Sequence, residues 1–211
     1  MSIKQFFLAS VFLPLTLSAH FFTIVLDPGT QQDATITQET LTCTQALQQA
    51  LEDTFPQARI VLSRTSSQEV VDPLQVASFS NRIAADVHIS FNFFIEKEVT
   101  KNIRIYSCLT PVGMQKKSSA LTLTPAEKAY ELHAQKSKTF GQKFFTAAKD
   151  AGSLPVFETK ELPLKTLKTI TAPSFLLEVG IGKSKEWKAY FPQLFEGLKE
   201  VIMVASEKKN E

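Results

Sequence analysis

The sequence predicts a single α/β domain, built on a twisted, mostly parallel or mixed sheet with helices on both faces. Short apolar runs rich in β-branched and aromatic residues alternate with longer segments whose apolar residues recur at helical spacing. The 211 residues suffice for one domain with a buried core and are few for two. With 44% hydrophobic residues and no repeat or low-complexity linker, the chain is predicted to be globular and undivided.

The N-terminus has the three-part pattern of a secretory leader. Lys4 precedes the apolar run Phe6–Leu17, and Ala19 supplies a small residue for cleavage. The run is shorter than the roughly 20 residues needed to cross a bilayer as a helix. We therefore predict a signal peptide at 1–19, a mature domain at 20–211 and no stable membrane span after leader removal. A buried strand or an uncleaved anchor is the alternative.

Charge and cysteines limit the partners and the compartment. The formal net charge is +2, and loss of Lys4 with the leader would leave +1. This is too small to indicate binding to nucleic acid or to an acidic membrane. Export would permit a disulfide between Cys43 and Cys108, but two lone cysteines do not establish one, and two unpaired thiols are an equally open alternative.

The first half of the chain alternates strands and helices. A continuous apolar run predicts a central strand buried on both faces, stopped by Asp27-Pro28-Gly29. Asp72-Pro73 is typical of a helix N-cap followed by proline at the first helical position. The predicted elements are a strand at Phe21–Leu26, a helix at Gln38–Thr54, a strand at Arg59–Ser63 and a helix from Asp72 to about Ala85.

The second half continues the alternation. Thr124-Pro125 repeats the cap-and-proline signal and predicts a long helix that ends at Gly152. The remaining predicted elements are strands at Val87–Phe94, Asn102–Leu109 and Phe175–Val179, and helix from Ser184, with Pro192 beginning a second piece that ends near Ala205. The stretch Thr110 to Thr124, rich in Lys, Ser and Thr, is interpreted as a surface insertion.

Polar residues lie at or near the carboxyl ends of three predicted strands. In open α/β sheets, ligands collect at the carboxyl ends of the strands. The segments Asp27-Pro28-Gly29-Thr30, Ser90-Phe91-Asn92 and Glu178-Val179-Gly180 lie there, and Glu39 lies near the start of the first helix. We expect these residues to form one site.

The chain resembles the zinc-dependent N-acetylmuramoyl-L-alanine amidases of bacterial cell-wall remodelling from about Phe22 to Ala205. Each matching piece is weak alone, but their order and spacing together indicate the fold. The pieces are Ile24-Val25-Leu26-Asp27-Pro28-Gly29, Val61-Leu62-Ser63-Arg64-Thr65, Asn81-Arg82-Ile83-Ala84-Ala85-Asp86-Val87-His88-Ile89-Ser90, Leu162-Pro163-Leu164 to Leu167, and Ala172-Pro173-Ser174-Phe175-Leu176-Leu177-Glu178-Val179-Gly180.

The resemblance implies roles for individual residues. Members of that family hold zinc through two histidines and a glutamate, and a second glutamate is the general base. The histidine positions correspond to Thr30 and Asn92, the glutamate ligand to Glu39, and the catalytic glutamate to Glu178. Arg64 is a candidate for pairing with a carboxylate or binding a ligand, with a loop-ordering role as the alternative.

The missing imidazoles alter the expected chemistry. Zinc prefers imidazole nitrogen and thiolate, and a threonine hydroxyl or an asparagine carbonyl is a poor ligand. We therefore expect no cofactor here, although active relatives hold zinc. His88 lies four residues before Asn92, roughly 13 Å along the strand, too far to share one ion with Glu39. Cys43, one helical turn past Glu39, is a remote alternative ligand.

The sequence thus predicts an exported amidase-family protein of the periplasm or cell envelope that is catalytically impaired. It would act by binding peptidoglycan or a cell-envelope protein such as a division partner. One alternative is an active amidase that hydrolyses the N-acetylmuramoyl-L-alanine bond through an unconventional metal site, with Glu178 as general base. Another is a structural or interaction protein without glycan binding.

Overall fold

The computed structural model describes residues 22–29, 31, 33–95, 101–109, 125–181 and 187–207. The predicted leader, Thr30 and the 110–124 insertion lie outside these described residues. The described strands are β1 (Phe22–Asp27), β2 (Ala58–Leu62), β3 (Val87–Ile95), β4 (Asn102–Cys108), β5 (Val156–Leu162) and β6 (Ser174–Ile181). The α-helices are α1 (Ala34–Thr54), α2 (Pro73–Arg82), α3 (Ala134–Asp150) and α4 (Phe191–Glu207).

The six strands form one mixed sheet in the order β2-β1-β3-β6-β4-β5. The first four in this order are parallel to one another, β4 runs antiparallel to β6, and β5 is parallel to β4. The predicted α/β class and mixed sheet are confirmed. The last long strand of the chain, β6, is central and lies between β3 and β4.

One face of the sheet carries the main hydrophobic core. The odd-numbered residues of β6, Phe175, Leu177 and Val179, are fully buried there. Helices α1, α3 and α4 cover this face, and their apolar residues belong to the same cluster. Each such fully buried side chain contributes about 1.5–3 kcal/mol through removal of apolar surface from water. This packing fixes the register of the strands and therefore the direction of their other side chains.

Among the described residues, the opposite face is covered only in part. Helix α2 and the segment 163–173 pack on it through a smaller apolar cluster that includes Ala77 and Leu167. Cys108 belongs to this second cluster, whereas Cys43 lies in the main core. Both cysteines are free and buried, on opposite faces of the sheet. The disulfide left open by the sequence therefore does not form.

Two helix starts follow from side-chain capping. The Asp72 carboxylate accepts a hydrogen bond from the Leu74 amide, and Oε1 of Gln75 accepts one from the Asp72 amide, which confirms the predicted start of α2. In α1 the Asp33 carboxylate caps the first turn, so the helix begins at Ala34 rather than at Gln38. Apolar periodicity alone located the middle of α1 and missed its polar first turn.

Two predictions for the second half were wrong. Residues Ala126–His133 form a 3-10 helix before α3, not the first turns of one long α-helix. Strand β5 was not predicted, because most of its side chains are exposed or half-buried and give no apolar alternation.

Within the described part of the chain, no helix is long and apolar enough to cross a membrane.

Candidate functional site

The turn after β1 is shaped by a glycine and a buried arginine. Gly29 adopts a φ of +42°, and a Cβ at this position would collide with the carbonyl oxygen of Phe91 on the neighbouring strand. The Arg64 side chain is only 2% exposed and donates hydrogen bonds to the carbonyl oxygens of Pro28, Gly29 and Ser66. The guanidinium therefore lies behind the turn and fixes its path.

This geometry bears on the two roles considered for Arg64. The hydrogen bonds of its side chain go to main-chain carbonyls, and burial leaves little of the guanidinium for a ligand. We therefore propose that Arg64 orders the turn rather than binding a ligand directly.

Beyond the turn, three side chains form a hydrogen-bonded row. Gln31 is anchored to the first turn of α1 by two hydrogen bonds with the Thr37 hydroxyl. Its side-chain amide donates to Oδ1 of Asn92, and Nδ2 of Asn92 donates to Oε1 of Glu178 at 3.3 Å. Asn92 and Glu178 are direct neighbours in the parallel pairing of β3 and β6. The structure thus brings these two predicted site residues together.

The row continues onto β4 through residues that the sequence did not indicate. Arg104 lies directly across from Glu178 in the antiparallel register, and Tyr106, two residues further along β4, lies near both side chains. Burial and the neighbouring Glu178 carboxylate raise the pKa of Tyr106, so the phenol stays protonated and able to donate. Strand alternation places Arg104 and Tyr106 on one face, but only the order of the strands reveals that Glu178 shares it.

A buried polar network lies beside this row. The Ser90 hydroxyl donates to Oδ2 of Asp27 at 3.2 Å and lies 3.0 Å from Nε2 of His88. The other ring nitrogen of His88 lies 3.2 Å from the Ser80 hydroxyl of α2. Burial lowers the pKa of His88 to about 4, and the Asp27 charge only partly opposes this. His88 is therefore neutral in the folded protein and packs within this network.

A pocket of about 300 Å³ opens above these residues at the carboxyl ends of β1 and β3. Its floor includes Asp27, Ser90 and Asn92, and its wall includes residues near the start of α2. The polar floor and partly apolar wall are typical of sites that orient a ligand through a few hydrogen bonds. We call this the strand-end pocket.

The metal ligands that the resemblance implies do not fit zinc. Glu39 is half-buried on α1 and is not among the described residues that line the strand-end pocket. Oδ1 of Asn92 already accepts the Gln31 amide, and Thr30 lies outside the described residues. Among the residues that the structure describes, no three His, Cys, Asp or Glu side chains are grouped to hold a metal ion.

Cys43 does not rescue this site. Its thiol is fully buried in the main core, where burial, reinforced by the Glu39 charge, raises its pKa far above the usual range. Cys43 is also not among the described residues that line the strand-end pocket. This geometry does not support the alternative of a thiolate-glutamate site, which stays a prediction.

The fold and the polar strand ends define an α/β protein with a pocket at the carboxyl ends of its parallel strands. Solved structures identify its architecture. An N-acetylmuramoyl-L-alanine amidase from Clostridium difficile 630 matches with a TM-score of 0.63 at 18% identity, over 90% of this chain and 98% of that one. The catalytic domain of the amidase CwlV from Bacillus (Paenibacillus) polymyxa var. colistinus matches with a TM-score of 0.61 at 14% identity, over 88% and 98%.

A third neighbour agrees with these two. The amidase Ami1 from Mycobacterium smegmatis has a TM-score of 0.61 at 13% identity, over 87% of this chain and 97% of that one. No family model matches the sequence, and no curated protein matches it significantly. The fold is thus that of N-acetylmuramoyl-L-alanine amidase catalytic domains, and at these identities the likeness shows the fold alone.

Proposed function

We propose that this chain is an amidase-fold protein of the bacterial cell envelope that binds peptidoglycan without hydrolysing it. The observation that carries the proposal is the hydrogen-bonded row Gln31–Asn92–Glu178 at the strand ends. It presents amide and carboxylate groups where the resemblance places a histidine and the general base. Such groups recognise the N–H and C=O groups of a peptide, and they do not require a metal to do so.

The donor set argues against hydrolysis. Water keeps a pKa near 16 unless a bound cation lowers it to about 7. Asn92 can offer an ion only Oδ1, and that atom is already hydrogen-bonded to Gln31. Glu178 accepts a hydrogen bond from Asn92 and lies near the Tyr106 phenol, and its carboxylate can accept further hydrogen bonds from ligand N–H groups. We therefore assign Glu178 to binding rather than to proton abstraction.

The location follows from the same proposal. A leader at 1–19 would deliver the domain at 20–211 to the periplasm or cell envelope, where peptidoglycan or a partner protein is available. The three solved structures that share this fold are N-acetylmuramoyl-L-alanine amidases, which supports a cell-wall ligand. A division protein is the alternative partner in that compartment.

Sedimentation with purified sacculi tests the proposal. We expect the wild-type protein to sediment with sacculi, and Glu178→Gln to weaken this binding about 5–10-fold, because one charge-assisted hydrogen bond to the ligand is lost. The matched control is Glu196→Gln on α4, on the far side of the sheet, which should sediment like wild type.

The same preparation is analysed for zinc and for release of peptide from labelled sacculi. Stoichiometric zinc together with turnover that a chelator and Glu178→Gln both abolish would show an active amidase instead. Absence of sedimentation would indicate a structural or interaction protein.

A further inference from the structure

A second pocket lies on the same polar face, on the other side of Glu178 from the strand-end pocket. It has a volume of about 280 Å³ and is formed by β4 and β5. We call it the edge pocket. Its lining consists of Arg104, Ile105, Tyr106, Phe157, Glu158 and Lys160. Since Arg104 lies directly across from Glu178 and Tyr106 lies near it, the edge pocket adjoins the row of side chains described above.

A bulge in β5 gives the edge pocket its shape. Arg104 pairs with Phe157, but Tyr106 pairs with Lys160, so β5 has one residue more than β4 in this interval. Bulges are uncommon between parallel strands, and they are found next to functional sites because they redirect side chains. Phe157, Glu158 and Lys160 therefore place an aromatic ring, a carboxylate and an ammonium group around one pocket.

The aromatic ring is exposed at the edge of the sheet. The Phe157 side chain is 47% exposed, although burial of a phenylalanine is worth about 1.5–3 kcal/mol. The face of an aromatic ring is electronegative and attracts the weakly positive C–H groups of a ligand that lies flat on it. Sugar rings present such a face of C–H groups.

The charges around the edge pocket balance. Arg104 and Lys160 are cationic, Glu158 lines the same pocket, and Glu178 lies directly across from Arg104. Arg104 is also held in place, since its guanidinium lies 5.5 Å from the centroid of the Phe94 ring. Donors and acceptors without excess charge among the described residues suit a ligand rich in hydroxyl groups rather than an ion.

We propose that the edge pocket is a sugar subsite that takes an uncharged ring of a glycan strand. The ring lies on Phe157, and Arg104, Glu158 and Lys160 hydrogen-bond to its hydroxyl groups. The peptide-bearing part of the same polymer occupies the strand-end pocket. This inference rests on the proposed function for the choice of polymer, and it adds which part of that polymer each pocket recognises.

Calorimetric titration of the full chain with chitotetraose, an uncharged sugar oligomer, tests the subsite. We expect Phe157→Ala to weaken binding about tenfold, whereas Met203→Ala, an apolar residue 41% exposed on α4, changes it less than twofold. Raising NaCl from 50 to 500 mM should change the affinity less than twofold, because the ligand is uncharged. Equal melting temperatures of the variants show that folding is intact.

Several outcomes would overturn the subsite. An affinity for chitotetraose that is unchanged in Phe157→Ala would contradict it, and so would a steep dependence of that affinity on salt. Binding to sacculi without binding to chitotetraose would also contradict the subsite, but the proposed function would still stand. Conversely, chitotetraose binding that depends on Phe157, without any binding to sacculi, would support the subsite and contradict the proposed function.

Discussion

The side-chain amide of Asn92 is engaged at both ends, by Gln31 on one side and Glu178 on the other. An imidazole in its place would have one nitrogen available for an ion, whereas an amide offers only its oxygen, and here that oxygen already accepts a hydrogen bond from Gln31. One residue thus links the turn after β1 to the central strand β6. The cleft gains a rigid hydrogen-bonding surface at the position where a metal ligand was expected.

His88 makes stability depend on pH. Its pKa of about 4 in the folded state lies below the ordinary value of about 6.5, so the unfolded chain binds the proton more readily between these values. The His88 contribution to stability is complete above pH 6.5 and is lost as the pH falls toward 4, by about 3 kcal/mol in all. Urea denaturation at successive pH values measures this loss.

The control for this prediction is His88→Gln, which removes the titrating group from the hydrogen-bonded network of Ser80 and Ser90. The variant's free energy of unfolding should fall less steeply between pH 6.5 and 4 than that of wild type. Identical slopes would mean that His88 is not responsible for the acid sensitivity.

At the scale of the elements, helices α3 and α4 approach each other closely at one glycine. A Cβ on Gly197 of α4 would meet ring carbons of Phe144 on α3 at 2.6 Å. We expect Gly197→Ala to destabilise the protein by about 1–2 kcal/mol, since overpacking outweighs the better helix propensity of alanine. Thermal or chemical denaturation gives the free energy of unfolding.

A double variant shows whether the close approach is the cause. When Phe144→Leu removes the ring, Gly197→Ala should become neutral or stabilising, so the two changes should not be additive. Additive losses would place the effect elsewhere in α4.

The elements also show what the sequence could predict. Strands β1, β3 and β6 are buried runs of apolar residues, and α2 carries its own capping box, so local patterns suffice to find them. Strand β5 is an edge strand held by long-range pairing with β4, and its exposed side chains carry no local signal. Local patterns also give no strand order.

The same limit applies to the candidate site. Asn92 and Glu178 were predicted because each follows or lies within a buried strand and matches a family position. Tyr106 and Arg104 were missed because their place beside Glu178 depends on β4 packing antiparallel against β6. Gln31 was given no site role, because its bond to Asn92 is a tertiary contact. The roles of Glu39 and Thr30 stay predictions.

At the scale of the whole molecule, the fold should not depend on a metal. A zinc ion held at 100 times its Kd would stabilise the folded state by about 2.7 kcal/mol, which is several degrees in Tm for a chain of this size. Because the donor set at the strand ends does not fit zinc, we expect EDTA and added zinc each to change Tm by less than about 1 °C. Scanning fluorimetry on protein purified without chelators measures this, and a fall of several degrees with EDTA would contradict it.

The sheet order has a consequence for the way the chain folds. Because β6 separates β3 from β4, the N-terminal four strands cannot join the two halves of the sheet by themselves. The seam closes only when residues 174–181, near the far end of the polypeptide, are inserted between them. A native sheet that spans both halves of the molecule can therefore form only after residues 174–181 have been synthesised.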